Sequence, residues 1–179
     1  MKPNMKLWIA KQMKELMKTK TIDKIRITDI CKVAEIERST FYYHFQDKYE
    51  LVTWIFYHDA WDKDILDLKS STEAMEKMRK EYLFYKRAFE DNSQNPFWKY
   101  LVEYFAERYE MEAKKKMKAD TLDTQLIFSI RLFCHGAIGM TREWILDDNK
   151  MDASTIVEML FQSMPKNMTF LFNPLNNVI

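Results

Sequence analysis

Glycine is nearly missing from these 179 residues: there are two, alongside only four prolines. So little punctuation excludes a chain of short strands and tight turns, and it predicts long helices with short joints. No run of β-branched residues alternates with polar ones, so no sheet is expected. Cysteine is scarce too. Cys31 and Cys134 each lie in an apolar helical pattern and read as free buried thiols in a reducing cytoplasm, not as a disulfide framework. No stretch of 18 uncharged apolar residues exists, and the N-terminus has no apolar segment ending in small residues. A cytoplasmic protein with no membrane partner is expected. Three scattered histidines, no glycine-rich phosphate loop, no metal-ligand cluster and no nucleophile elbow argue against an enzyme. No catalytic residue, metal or cofactor is assigned.

What is present is apolar mass. Hydrophobic residues make up 47% of the chain and aromatics 15%, enough for a sizeable core. The net charge of +1 hides an asymmetry: residues 1–50 hold 11 Lys/Arg against 7 Asp/Glu, and the remainder 17 against 20. A basic head on a slightly acidic body fits a nucleic-acid contact confined to one end.

The organising stretch is Ile27 to Leu51, ITDICKVAEIERSTFYYHFQDKYEL. A short helix (Thr28 to Ala34), a turn and a second short helix (Arg38 to Phe45) are followed by a polar break at Gln46-Asp47-Lys48. Ile30, Val33, Ala34, Ile36, Phe41 and Phe45 are spaced to bury one shared face. The opposite face of the second helix carries Arg38, Ser39, Thr40, Tyr43 and His44. This is the pattern of a helix-turn-helix, with one helix braced across the DNA backbone and one laid in the major groove. Arg38 is the best base reader by residue type, because its fork matches guanine O6 and N7. Ser39 and Thr40 suit either a base or a phosphate; Tyr42 and Tyr43 carry phenolic hydroxyls on rigid arms. His44 would serve as a base reader or as a packed imidazole. Arg26 and Thr28 stand where helix-start amides face phosphate.

Thr40-Phe41-Tyr42-Tyr43-His44-Phe45, with Lys48 and Leu51 after it, resembles the signature of TetR-family transcriptional regulators. The resemblance implies an all-α protein. A three-helix helix-turn-helix domain over residues 1–47 would be followed by a helical regulatory and dimerisation domain over 48–179, about eight to nine helices in all. It implies backbone contacts from Thr40, Tyr42 and Lys48. Two positions depart from the family. Glu35 stands where the turn normally has glycine, and Arg26 replaces the usual capping hydroxyl. A left-handed Glu35 would cost about 1–2 kcal/mol.

Beyond the head, helices are expected at about Asn4–Lys18, Lys48–Lys69, Thr72–Asp91 (with Ser70 and Glu73 as a capping box), Pro96–Met117 and Leu122–Leu146, and from Asp152 to Pro165. In the first, Leu7, Trp8, Met13, Leu16 and Met17 form the inner face. The fifth is apolar on two faces, and Gly136, Ala137 and Gly139 would let another backbone approach closely. Phe133 to Ile138 and Thr141 to Trp144 are similar to the C-terminal helix of regulators of dihydroxyacetone-kinase operons. The resemblance implies a homodimer through the last two long helices and a double-stranded DNA operator as partner. It also implies a switch set by a small-molecule effector or by a protein co-regulator. Repression is the expected direction, with activation the alternative. Trp61, Tyr82, Tyr85, Trp98, Tyr104, Arg131 and His135 are the candidate effector contacts, although each would equally serve as plain core.

Overall fold

A computed structural model of the chain describes residues 4–60, 67–94, 96–148 and 150–172, with backbone alone at 59 and 60. Among them there is no strand; the architecture is all-α, as expected. α1 (Met5–Met17) opens at Asn4, whose side chain accepts from the Lys6 N–H at 3.1 Å. Ile9, Met13 and Met17, four apart, form its buried stripe, and Leu7 falls off that stripe into solvent, contrary to expectation. Trp8 lies at the margin, where its indole N–H donates to the Ala34 carbonyl at 2.9 Å. A 3-10 turn (Ile22–Lys24) leads to α2 (Ile27–Ala34) and α3 (Arg38–His44).

Glu35 does adopt the left-handed conformation, φ 55° and ψ 44°. The Ile36 N–H reaches the Cys31 carbonyl at 3.0 Å and the Glu35 N–H reaches Lys32 at 3.4 Å, a Schellman ending. Ile30, Cys31 and Ala34 face inward from α2. Val33, expected among them, is 40% exposed because it sits beside that stripe and not on it.

α4 (Lys48–Ala60) begins with the Tyr49 and Glu50 N–H groups both donating to Asp47 Oδ1 at 2.8 Å. The chain then forms α5 (Leu68–Lys80), α6 (Tyr82–Phe89), α7 (Phe97–Met117), α8 (Thr124–Leu146), α9 (Ala153–Gln162) and a last 3-10 turn, Lys166–Leu171. Two expectations are corrected here. The cap of α5 is Asp67, which accepts from the Ser70 N–H and hydroxyl, so Ser70 is inside the helix and no capping box with Glu73 forms. The single helix expected over 72–91 is two, broken at Glu81 (φ −100°, ψ 32°) without a glycine or proline to mark the break. A third, the helix expected over 48–69, does not reach Lys69: α4 is described to Ala60, 61–66 lie outside the described residues, and Asp67 is extended (φ −117°, ψ 133°), which puts Lys69 inside α5.

One hydrophobic cluster runs from Ile9 in α1 to Phe172 at the far end. Phe56 of α4 is its centre, edge-on to Tyr85 at 5.1 Å and Phe89 at 6.0 Å, and near Phe97 at 5.9 Å. α8 packs along α7 and against α6, while α9 packs on α5. The carboxylate of Asp91, 2% exposed, accepts from the Phe97 N–H at 2.8 Å and the Ser93 N–H at 3.0 Å, which fixes the start of α7. At the other end of α7, Lys116 donates to the carbonyls of Phe170 and Leu171 and holds the last turn in place.

Candidate nucleic-acid interface

The reading helix is seven residues long, too short to persist alone. It is held from below. Phe41 is fully buried and Phe45 nearly so; their rings are 6.0 Å apart, and Phe45 meets Trp54 of α4 at 5.8 Å. With those rings anchored, Arg38, Ser39, Tyr42 and Tyr43 are exposed, and Thr40 and His44 half-buried at the margins. Tyr43 is 84% exposed, a large phenol with little reason to face water in a free-standing domain. The Arg38 guanidinium lies over the Tyr42 ring at 5.9 Å, one turn on. His44 makes an edge contact with Tyr43 at 5.0 Å.

Arg26 and Thr28 are exposed at the start of α2. The Asp29 carboxylate already accepts the Arg26 backbone N–H at 2.9 Å, so one amide and some positive potential of that helix end are occupied. Lys48 differs from the free cation expected of it. Its ammonium donates to the Ile25 carbonyl at 2.8 Å and the Asp23 carbonyl at 3.1 Å, leaving one of three N–H groups uncommitted. Desolvation lowers its pKa from the ordinary lysine value, opposed by Asp91, Asp23 and Asp47. Lys6 is similarly occupied, lying over the rings of Phe45 and Trp54 at 5.3 and 5.9 Å.

The structure does not bring the seven expected effector contacts together. Trp61 lies outside the described residues. Tyr82 is at the surface, its hydroxyl bonded to Asp148 at 2.5 Å, whereas Tyr85 is core. Trp98 meets the exposed His135 edge-on at 6.5 Å. Arg131 is spent on a bidentate pair with Glu103 at 3.1 and 3.2 Å, with Glu110 at 3.7 Å. Tyr104 faces Tyr57 across the α4–α7 seam at 5.5 Å. Concave space lies elsewhere, and a groove of about 550 Å³ runs past Met140, Trp144, Met151 and Ile156 at the end of α8. A cavity of about 70 Å³ is walled by Phe105 and Tyr109 of α7, Phe133, Cys134 and Ile138 of α8, and Phe161 and Phe172. None of the seven residues lines it, because it opens between α5, α7, α8 and α9. Burial pushes the Cys134 thiol in that wall up to about 12.

α8 shows a feature the sequence stripes missed. Phe128 and Leu132, four apart, are 66% and 59% exposed, and Met140 is 48% exposed on the same face. Gly136 and Gly139 lie on that face too, with open space where a side chain would be. A strip of bulky apolar residues leading into two bare glycines is a surface shaped for another helix.

Comparison with known proteins gives this geometry a setting. The HTH-type dhaKLM operon transcriptional activator DhaS of Lactococcus lactis subsp. lactis (strain IL1403) is 28% identical over 167 residues, 85% of this chain and 86% of that protein. A solved structure of a dihydroxyacetone kinase operon activator DhaS shares the fold, with a TM-score of 0.56 over 90% of this chain and 96% of that one at 24% identity. Residues 68–166, more than half of the chain, match the family described as the transcriptional regulator C-terminal region. With a helix-turn-helix at its head and that region as its body, the chain belongs to the TetR-type family of transcriptional regulators.

Proposed function

We propose that the protein is a homodimeric, sequence-specific DNA-binding regulator, not an enzyme, whose operator affinity is set by an effector acting on residues 48–179. The observation that carries this reading is α3: a rod locked by buried Phe41 and Phe45, with Arg38, Ser39, Tyr42 and Tyr43 turned to solvent. Its width suits the major groove, and its donors suit base edges and phosphates. Dimerisation is supported by the Phe128–Leu132 strip, since covering each such side chain contributes about 1.5–3 kcal/mol. A dimer is what would set the two reading helices one groove turn apart.

Two finer points are open to a second reading. The Lactococcus relative is named an activator, which favours activation over the expected repression. The apolar cavity of about 70 Å³ is well below the roughly 300–1,000 Å³ of ordinary ligand sites, and the 550 Å³ groove at the end of α8 is open to solvent, which together favour a very small effector or a protein co-regulator. The deciding experiment is a gel shift on the promoter region upstream of the protein's own gene, repeated over a salt series. Log affinity should fall against log salt by about 0.9 per phosphate neutralised. Equal affinity for the promoter and for random duplex would refute sequence-specific recognition.

A further inference from the structure

Most arginines of the body pair with a carboxylate or a backbone carbonyl. Arg79 pairs with Asp152 and Glu76, Arg87 with Glu90, and Arg131 with Glu103 and Glu110, while Arg142 donates to the Phe89 carbonyl. Arg108 of α7 differs. Among the described residues it has no carboxylate at ion-pair distance, and its buried Nε, like that of Arg87, has no hydrogen-bond partner. Its guanidinium stands 5.0 Å from the centroid of the Tyr57 ring on α4 and beside the Tyr104 hydroxyl one turn back on α7. All three side chains are half-buried, reachable from solvent yet partly shielded from it.

We propose that Tyr57, Tyr104 and Arg108 form a binding site for a small organic anion bearing a carboxylate or phosphate group. A guanidinium is built to meet such a group with two parallel hydrogen bonds, and at partial burial the pairing is stronger than in open water. The Tyr104 hydroxyl stands where it can donate a third, and the tyrosine faces suit an organic remainder. Burial, with Tyr57 alongside, pushes the Tyr104 phenol up to about 12, so it stays a donor throughout the neutral range.

The site straddles the seam between α4 and α7. At the head end of that seam Tyr49 stacks on Tyr100 at 4.9 Å with planes 4° apart; at the body end Tyr57 meets Tyr104. An anion that draws Arg108 off the Tyr57 ring therefore alters one of the aromatic contacts that set α4 on α7, beside Tyr49–Tyr100 and Phe56–Phe97, and α4 begins where the reading head ends. This consequence for DNA rests on the regulator reading above; the binding itself does not.

The test is calorimetric titration of the full chain with inorganic phosphate and, separately, with benzoate. At least one should bind saturably, and which one binds separates phosphate from carboxylate recognition. Arg108→Gln should weaken it by about tenfold or more, the size of a lost charge-assisted pair. Arg108→Lys, which keeps the charge and loses the fork, should fall between, and Arg79→Gln should bind as the wild type does. Circular dichroism checks each fold; if Arg108→Gln does not fold, Arg108→Lys decides, and unchanged affinity there overturns the site. No saturable binding of either anion, or equal binding by a folded Arg108→Gln, also overturns it. Gel shifts run in parallel separate the two readings: promoter binding without anion binding sinks this site alone, and the reverse sinks the regulator reading alone.

Discussion

Replacing Glu35 by glycine should make the protein more stable. The residue sits at φ 55°, ψ 44°, where a Cβ crowds the following carbonyl at a cost of about 1–2 kcal/mol. Glycine removes that cost but makes the unfolded chain freer, which returns roughly 0.4–1 kcal/mol. The Glu35 side chain is exposed, so its removal forfeits little packing. The Schellman hydrogen bonds from Glu35 and Ile36 are backbone bonds and survive the change. The net gain should be about 0.5–1 kcal/mol, a rise in Tm of roughly 1–4 °C for a chain of this size. The assay is thermal unfolding of Glu35→Gly, Glu35→Asn and Glu35→Ala side by side. Alanine keeps the Cβ and should gain nothing, and asparagine, more tolerant of this conformation, should fall between. A Glu35→Gly protein melting below the wild type, or an alanine variant gaining as much as glycine, would show that backbone strain is not what Glu35 contributes.

Four other outcomes are expected. Lys48→Met keeps the aliphatic stem but removes the ammonium donors to the Ile25 and Asp23 carbonyls, so urea unfolding should show a loss of roughly 1–3 kcal/mol; a stability unchanged alongside weaker DNA binding would return Lys48 to a pure phosphate role. Arg38→Ala should relax preference at one base pair by roughly 1–3 kcal/mol in competition gel shifts, and a uniform loss across all sequences contradicts base reading. Leu132→Glu on the exposed face of α8 should leave the helical content intact and shift light scattering from dimer to monomer; an unmoved dimer mass means the pair assembles elsewhere. Cys134 and Tyr104 both have pKa values raised to about 12 in the fold, from ordinary values of 9.0 and 10.0. Their unfolded forms lose protons first, so their contribution to stability is complete below pH 9 and should decline as pH rises from 9 towards 12. An alkaline titration of the melting point, with native Cys134 inert to thiol reagents at pH 8, checks both.

The head was legible because its signals are local. Phe41 and Phe45 sit four apart, Glu35 occupies a turn position that only one backbone region satisfies, and Gln46-Asp47-Lys48 marks the break before α4. The body was legible as helices but not as a site. Which face of α8 meets the core depends on partners far along the chain, so a helix apolar on two faces does not by itself show that Phe128, Leu132 and Met140 are the exposed ones. Arg131 looked suspicious on an apolar helix because Glu103, 28 residues earlier, has no sequence link to it. Arg108 lies in a run of charges, EYFAERYEMEA, yet no carboxylate pairs with it among the described residues, which residue type alone does not reveal. The break at Glu81 left no trace in residue type at all.

α6 has eight residues, too few to hold together unaided. At its start, Lys14 of α1 forms an ion pair with Glu81 at 2.5 Å and lies over the Phe84 ring at 5.4 Å. On its outer side, Tyr82 and Lys86 hold Asp148 just past the end of α8. α1 and the residue just past the end of α8 thus both hold the first turns of one short segment. Because both hold it, heat should melt these parts in one cooperative step, seen as a single calorimetric transition.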